Sequence, residues 1–169
     1  MTQQQVPTLD IRRFATDKDN FVAEIGKAYT EFGFCGISGH GIPDEVVAKT
    51  YQVIKQFFAL PTEVKAQYHQ PGQGGARGYT GFGVEKAKDS KHPDLKEFWH
   101  VGRELEGPAP HPSLYPNVWP SEVPEFKQAT SALYEALQSL GCQVLEALAL
   151  FLKQDQSYFA DKVNYGNSI

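Results

Sequence analysis

Gly33-Phe34-Cys35-Gly36-Ile37-Ser38-Gly39-His40-Gly41-Ile42 is the stretch of sequence that decides the fold. Its first glycine follows a helical pattern and is typical of a helix C-cap. The apolar run 34–38 favours a short strand, and the glycine-bracketed residues 39–42 favour a turn. Pro43 then stands where the first turn of a helix tolerates proline. The stretch therefore predicts a helix, a strand, a turn and a second helix.

The flanking segments continue this mixed pattern. Residues 7–11 alternate like a short strand, and Thr16 followed by Asp19 is typical of a helix N-cap with an acidic third position. Two helices are then predicted by apolar residues at helical spacing, namely Phe21, Ile25, Ala28 and Phe32 in the first and Val47, Tyr51, Ile54 and Phe58 in the second. Leu60-Pro61-Thr62-Glu63 ends the second helix and begins a short third one. The fold class predicted is α/β (α+β, helix-rich).

Glycine and proline divide the remainder of the chain. Six of the 15 glycines fall between Gly72 and Gly83, and six of the 11 prolines fall between Pro108 and Pro124. We therefore expect a Gly-rich loop over 70–83 and a Pro-rich connection over 107–121. Within the first of these, residues 77–82 predict a strand with glycines where backbone or ligand approaches closely. Residues 96–101 predict its partner strand.

A long amphipathic helix is predicted over 122–153. Its apolar residues recur mostly at steps of three and four, and are Phe126, Leu133, Leu137, Leu140, Val144, Leu148 and Phe151. At about 1.5 Å per residue such a helix approaches 50 Å in length, so it needs a large partner surface. Residues 155–162 predict another short helix.

Composition excludes several classes of partner. The chain has 169 residues, 41% hydrophobic and 21% charged, with a formal net charge of −4, which is typical of one soluble globular domain. The acidic pI, near 5.7, argues against nucleic acid. No apolar run approaches the ~18 residues of a membrane span, and the first ten residues do not look like a signal peptide. Two cysteines, Cys35 and Cys142, favour buried thiols in a reducing cytoplasm.

Local motifs offer weaker indications of chemistry. Residues 72–77, Gly-Gln-Gly-Gly-Ala-Arg, lack the Lys of a phosphate-binding loop and the third Gly of a dinucleotide fingerprint. His40 lies in the glycine-bracketed turn 39–42, and this position favours a hydrogen-bonded structural role for its side chain. The triplet His92-Pro93-Asp94, with His100 nearby, has the residue types of a two-His, one-carboxylate iron site. Its setting favours a solvated turn.

The order and spacing of the motifs resemble the N-terminal region of the isopenicillin N synthase-like family of Fe(II)- and 2-oxoglutarate-dependent dioxygenases. The matching residues are Pro7, Leu9, Asp10, Gly33, Phe34, His40, Gly41, Phe57, Phe58, Leu60, Pro61, Glu63, Lys65, Gly78, Tyr79, Asp94, Lys96, Glu97, Trp119 and Pro120. They extend over nearly the whole chain.

The resemblance implies a fold in two parts. Residues 1–169 would form the N-terminal domain, with 164–169 approaching the first strand of a double-stranded β-helix, or jelly roll, expected after residue 169. In the family that jelly roll supplies an H-x-D and a distal His for iron and an Arg-x-Ser for 2-oxoglutarate. No Arg-x-Ser occurs in this sequence, and the resemblance does not make His92 or Asp94 iron ligands. It therefore implies no iron or 2-oxoglutarate bound to this chain alone.

Three hypotheses about function follow. The first is the N-terminal support and pocket wall of a cytoplasmic oxygenase that acts on a small molecule, completed by a missing C-terminal half. Because the Gly-Tyr segment borders the substrate pocket in the family, Arg77, Tyr79 and Phe82 become candidates for substrate contact, and strand packing with a surface Arg is the alternative. The second hypothesis is a non-catalytic interaction module that docks through the long helix. The third is a small metal enzyme that uses His92, Asp94 and His100.

Overall fold

The chain is described by a computed structural model over residues 5–88, 91–104 and 114–163. The elements in chain order are β1 (Thr8–Asp10), α1 (Arg13–Thr16), α2 (Lys18–Phe32), β2 (Gly36–Ser38), α3 (Asp44–Phe58), α4 (Thr62–Ala66), β3 (Gly78–Thr80), β4 (Phe98–His100) and α5 (Phe126–Phe151). The described residues form two units, one from 5–42 and 136–163 and the other from 43–88, 91–104 and 114–135. The expected helix-rich mixture of helices and strands is confirmed.

The first unit is built on a parallel strand pair joined by a helix. Strand β1 pairs with β2, with Leu9 opposite Ile37, and α2 connects the two strands. Gly33 ends α2 in the left-handed conformation, at φ 80°, and its N–H donates to the Tyr29 carbonyl over 3.0 Å. The C-cap and strand predicted from residues 33–38 are confirmed. The core of this unit is mainly aliphatic, and its buried members are Leu9, Ile11, Phe21, Ile25 and Ala147.

The predicted cap at the start of α2 is wrong. Thr16 ends the separate short helix α1, and Asp17 takes the N-cap position without a side-chain hydrogen bond to the helix. The Asp17 carboxylate instead accepts hydrogen bonds from the Arg13 guanidinium at 2.8 Å and the Asn20 amide at 2.7 Å. The local ion pair therefore takes the oxygens that a capping residue would use.

The second unit places an antiparallel strand pair beside helices. Strands β3 and β4 pair with Tyr79 opposite Trp99, which confirms the predicted pair. The buried core is formed by Val53, Phe57, Tyr79, Val123, Phe126 and Ala129. Around Phe57 the rings meet mostly edge to face, the geometry that the aromatic quadrupole favours.

The long helix α5 is shorter than the predicted 122–153. Residues 121–125 form turns, and the helix begins only at Phe126. At the other end, Lys153 adopts a positive φ of 57° and the Gln154 N–H bonds the Ala149 carbonyl, which closes the last turn. Residues 126–135 of α5 belong to the second unit and 136–151 to the first.

The short helix predicted over 155–162 is also wrong. Those residues form successive turns with hydrogen bonds between residues three positions apart. One example is the Tyr158 N–H, which donates to the Asp155 carbonyl over 2.9 Å. The expected strand approach at 164–169 lies outside the described residues, as does 105–113 of the Pro-rich connection. Within the described ranges, no helix is both long and apolar enough to cross a membrane.

Candidate functional site

The three residues predicted to contact substrate lie on and beside strand β3. Tyr79 is within the strand, Arg77 precedes it and Phe82 follows it. Arg77 and Tyr79 are 2% and 3% exposed, whereas Phe82 is 60% exposed. The structure therefore turns two of the three into the protein and leaves the third open to solvent. The alternative of a surface arginine is wrong, because the Arg77 side chain is among the most deeply buried.

The Arg77 guanidinium is held by backbone carbonyls. Its Nε donates to the Tyr115 carbonyl over 3.2 Å and its Nη1 donates to the Ala76 carbonyl. The absence of a side chain at Gly102 leaves space for the guanidinium, because a Cβ added at residue 102 would lie 1.9 Å from Arg77 Nη2. Burial lowers the pKa of Arg77, although a guanidinium keeps its charge. Among the described residues no carboxylate pairs with it.

Tyr79 ends in a buried polar network. Its hydroxyl donates to Glu97 Oε2 over 2.6 Å, and the same carboxylate accepts from Lys65 Nζ at 2.8 and 3.0 Å. Lys65 also donates to the Phe58 carbonyl. The Lys65 and Glu97 side chains are 7% and 17% exposed. A buried ion pair persists only when its remaining hydrogen bonds are satisfied, and this one joins α4, β3 and the start of β4.

Protonation of the network follows from these contacts. Burial and the Glu97 carboxylate raise the pKa of Tyr79 to about 12. Burial also raises the pKa of Glu97, but the hydrogen bonds from Lys65 and Tyr79 and the charge of Lys65 outweigh it, so the net shift is downward. At neutral pH the Glu97 carboxyl is therefore ionised and the Tyr79 phenol is neutral.

Sequence reasoning did not find this network. Lys65 and Glu97 are among the residues that carry the family resemblance, which is a signal, but no local pattern joins residues so far apart along the chain.

A cavity of about 270 Å³ lies against Glu97. Its other lining residues are Ile54, Phe58, Phe98, Trp99, Val101, Phe126 and Thr130. Arg77, Tyr79 and Phe82 do not line it.

The proposed iron ligands are not brought together. The Asp94 carboxylate pairs with Lys96 at 3.4 Å. The His100 ring meets the Gly75 carbonyl at 2.6 Å through Nδ1 and packs on Phe98. Over the described ranges no three His, Cys, Asp or Glu side chains cluster as metal ligands. In this structure His92, Asp94 and His100 therefore do not form a metal-ligand cluster.

His40 has the structural role expected of it. Its Nδ1 accepts the Ile42 N–H at 3.1 Å and so closes the turn after β2. Iron and 2-oxoglutarate, the groups that the family resemblance implies, do not fit the side chains described in this chain: neither a ligand triad nor an Arg-x-Ser is present there.

Comparison with known proteins identifies the family. Residues 6–122 match the family described as the N-terminal region of the non-haem dioxygenase in morphine synthesis. A 2-oxoglutarate-dependent dioxygenase of Aspergillus niger is 36% identical over 157 residues, covering 89% of this chain and 49% of the relative. A proline hydroxylase of Petromyces alliaceus is 31% identical, covering 97% of this chain and 53% of the relative.

Solved structures agree with the sequence relatives. A crystal structure of a protein assigned to the 2OG-Fe(II) oxygenase family, from Caulobacter crescentus, is 40% identical with a TM-score of 0.81, covering 94% of this chain and 52% of its own. The chain thus spans about half the length of the curated relatives it matches. Because the family match extends over more than half of the chain, the chain belongs to the N-terminal region of the isopenicillin N synthase-like, 2-oxoglutarate- and Fe(II)-dependent dioxygenases.

Proposed function

We propose that these residues are the N-terminal support and part of the substrate-pocket wall of an oxygenase that uses Fe(II) and 2-oxoglutarate to oxidise a small molecule. The observation that carries the proposal is the family match over residues 6–122 in a chain half the length of its relatives. The iron ligands and the 2-oxoglutarate site then lie in a C-terminal half, and residues 1–169 alone are inactive.

The substrate is a small molecule. The Petromyces alliaceus relative is named a proline hydroxylase, which supports a small polar substrate in this family. The free, half-buried Cys35 and Cys142 support a reducing compartment, and we place the protein in the cytoplasm. The apolar side chains on and after α5, with Leu137 and Leu152 both more than half exposed, are a surface that a second half of the protein would cover.

The proposed pocket wall has a different role for each of the three candidate residues, Arg77, Tyr79 and Phe82. The Phe82 side chain is exposed to solvent, and it is the residue that contacts the substrate directly. Tyr79 is fixed by Glu97 and Lys65, so it holds β3 in place behind that contact. Arg77, buried among carbonyl oxygens, adds a positive charge to the same wall.

The coding sequence after residue 169 tests the proposal. We expect it to encode an H-x-D, a distal His and an Arg-x-Ser in a strand-rich segment. If it encodes none of these, the oxygenase hypothesis is wrong for this protein. A stable monomer of residues 1–169 by light scattering would then also argue against the alternative of a self-associating interaction module.

Substrate contact at Phe82 needs the enzyme with both halves. Phe82→Ala is expected to raise KM by about threefold to tenfold with kcat little changed, because it removes binding that the ground and transition states share. Leu95→Ala is the matched control, since Leu95 is also an exposed apolar loop residue of the second unit. Equal KM values for the two variants would remove Phe82 from the pocket.

A further inference from the structure

The aromatic core of the second unit contains residues that can be oxidised. Trp99 lies 4.6 Å from Phe57 between ring centroids and 5.5 Å from Tyr68. Tyr79 lies 6.0 Å from Phe57 on the same cluster and is opposite Trp99 across the strand pair. Rings at these separations are in van der Waals contact, so an electron can pass between Trp99 and Tyr68 in a single short step.

Tyr68 has the hydrogen bonds that its oxidation requires. Its hydroxyl donates to Glu122 Oε2 over 2.6 Å and accepts the Ser121 N–H over 2.9 Å. A phenol loses its proton when it loses an electron, so a carboxylate already in contact supplies a place for that proton. The Ser121 N–H stays bonded to the oxygen afterwards. This end of the cluster lies at the protein surface.

Trp99 is different because its indole nitrogen is isolated. Nε1 is buried and has no hydrogen-bond partner within the described part of the chain. A buried N–H without an acceptor is uncommon. After loss of an electron the indole therefore keeps its proton and remains a radical cation, which is a stronger oxidant than the neutral radical.

We propose that Trp99 and Tyr68 form a redox relay that moves an oxidising equivalent from the aromatic core to the protein surface. An oxidising inorganic radical, such as the azide radical, first takes one electron from Trp99 and becomes its anion, which leaves the Trp99 radical cation. Tyr68 then returns one electron to the Trp99 radical cation and passes its phenolic proton to Glu122. The products are neutral Trp99, a neutral Tyr68 phenoxyl radical and a protonated Glu122, so charge, electrons and protons balance.

The second tyrosine of the cluster is a poorer end point. Tyr79 also bonds a carboxylate at 2.6 Å, but that carboxylate already pairs with Lys65. A base that is neutralised by a buried ammonium is a weaker proton acceptor. Glu122 has no Lys or Arg partner among the described residues. The relay therefore runs toward Tyr68, where external reductants can reach the radical.

Pulse radiolysis of the 169-residue chain tests the relay. Azide radicals oxidise tryptophan selectively, and Trp119→Phe leaves Trp99 as the single tryptophan. In that background we expect the tryptophan-radical absorption to convert into tyrosyl-radical absorption in a first-order step that does not depend on protein concentration. Tyr68→Phe is expected to abolish this conversion. The test needs no iron, so its outcome is independent of the proposed function.

Two further variants keep the result decisive. Glu122→Gln leaves the packing of Tyr68 intact and is expected to slow the conversion by removing the proton acceptor. Tyr51→Phe, which removes an exposed tyrosine of the same unit, is expected to have no effect. Unchanged conversion in Tyr68→Phe, a rate that rises with protein concentration, or loss in Tyr79→Phe but not in Tyr68→Phe would overturn the proposal.

Discussion

The two units stabilise their cores in different ways. The first unit packs aliphatic side chains from β1, α2 and α5, and the ion pairs of Arg13 with Asp17 and Glu24 lie at its surface. The second unit surrounds Phe57 with five aromatic rings and buries the Lys65–Glu97 pair beside them. The difference indicates that the second unit depends on specific geometry and buried charge, whereas the first depends mainly on apolar burial.

The largest difference is expected between two fully buried phenylalanines. Phe57→Ala should lower the free energy of unfolding by about 3–5 kcal/mol, at the upper end because five ring contacts are lost. Phe21 is equally buried but, within the described part of the chain, has one ring neighbour, Phe14 at 5.8 Å between ring centroids. Phe21→Ala should therefore cost less when both are measured by urea unfolding. An equal or larger cost at Phe21 would contradict the comparison.

Two left-handed glycines give the next test. Gly78 has φ 71°, and an added Cβ would lie 2.4 Å from the Tyr68 carbonyl oxygen. Gly33 has φ 80° with nothing within 4 Å of that position. Gly33→Ala should lower the free energy of unfolding by about 1 kcal/mol, because alanine is strained in the left-handed backbone conformation. Gly78→Ala should exceed about 3 kcal/mol because backbone must also move. Thermal unfolding of both proteins measures the gap, and similar melting temperatures would show that β3 tolerates displacement.

A matched pair of glutamates separates buried from exposed charge. Glu97→Gln leaves the Lys65 ammonium buried without its counter-charge and should cost about 2–3 kcal/mol. Glu24→Gln removes a carboxylate that pairs with Arg13 at the surface of the first unit and should change stability little. Chemical denaturation of the two variants gives the comparison directly. A larger loss in Glu24→Gln would reverse the assignment of which unit depends on charge.

The smallest effect is confined to alkaline pH. The pKa of Tyr79 is raised from its ordinary 10.0 to about 12 by burial and by Glu97, so the fold favours the neutral phenol. This stabilisation is fully present below about pH 10 and is lost as the pH rises through 12. Burial also raises the pKa of Tyr29 in the first unit, but its side chain is more than a third exposed. The free energy of unfolding should therefore fall less between about pH 10 and 12 in Tyr79→Phe than in Tyr29→Phe. The reverse order would contradict the role of the buried network.

Local sequence patterns predicted much of the fold and little of the site. The Gly33 cap, the strand pairs and helices α2 and α3 follow from periodicity and turn chemistry within a few residues. The predicted start of α5 at residue 122 is too early, since the apolar residues at helical spacing begin only at Phe126. Local sequence does not indicate the burial of Arg77, because the space for its side chain comes from Gly102, 25 positions along the chain. The Lys65–Glu97–Tyr79 network likewise exists only through tertiary contacts.

Consumption of 2-oxoglutarate tests the proposed function most directly. Residues 1–169 and the same chain extended through its downstream coding sequence should be compared with Fe(II) and oxygen present, with succinate as the measured product. We predict succinate from the extended protein and none from residues 1–169. Succinate formed at equal rates by both, or by neither, would contradict the assignment of this chain as the N-terminal half of a 2-oxoglutarate-dependent oxygenase.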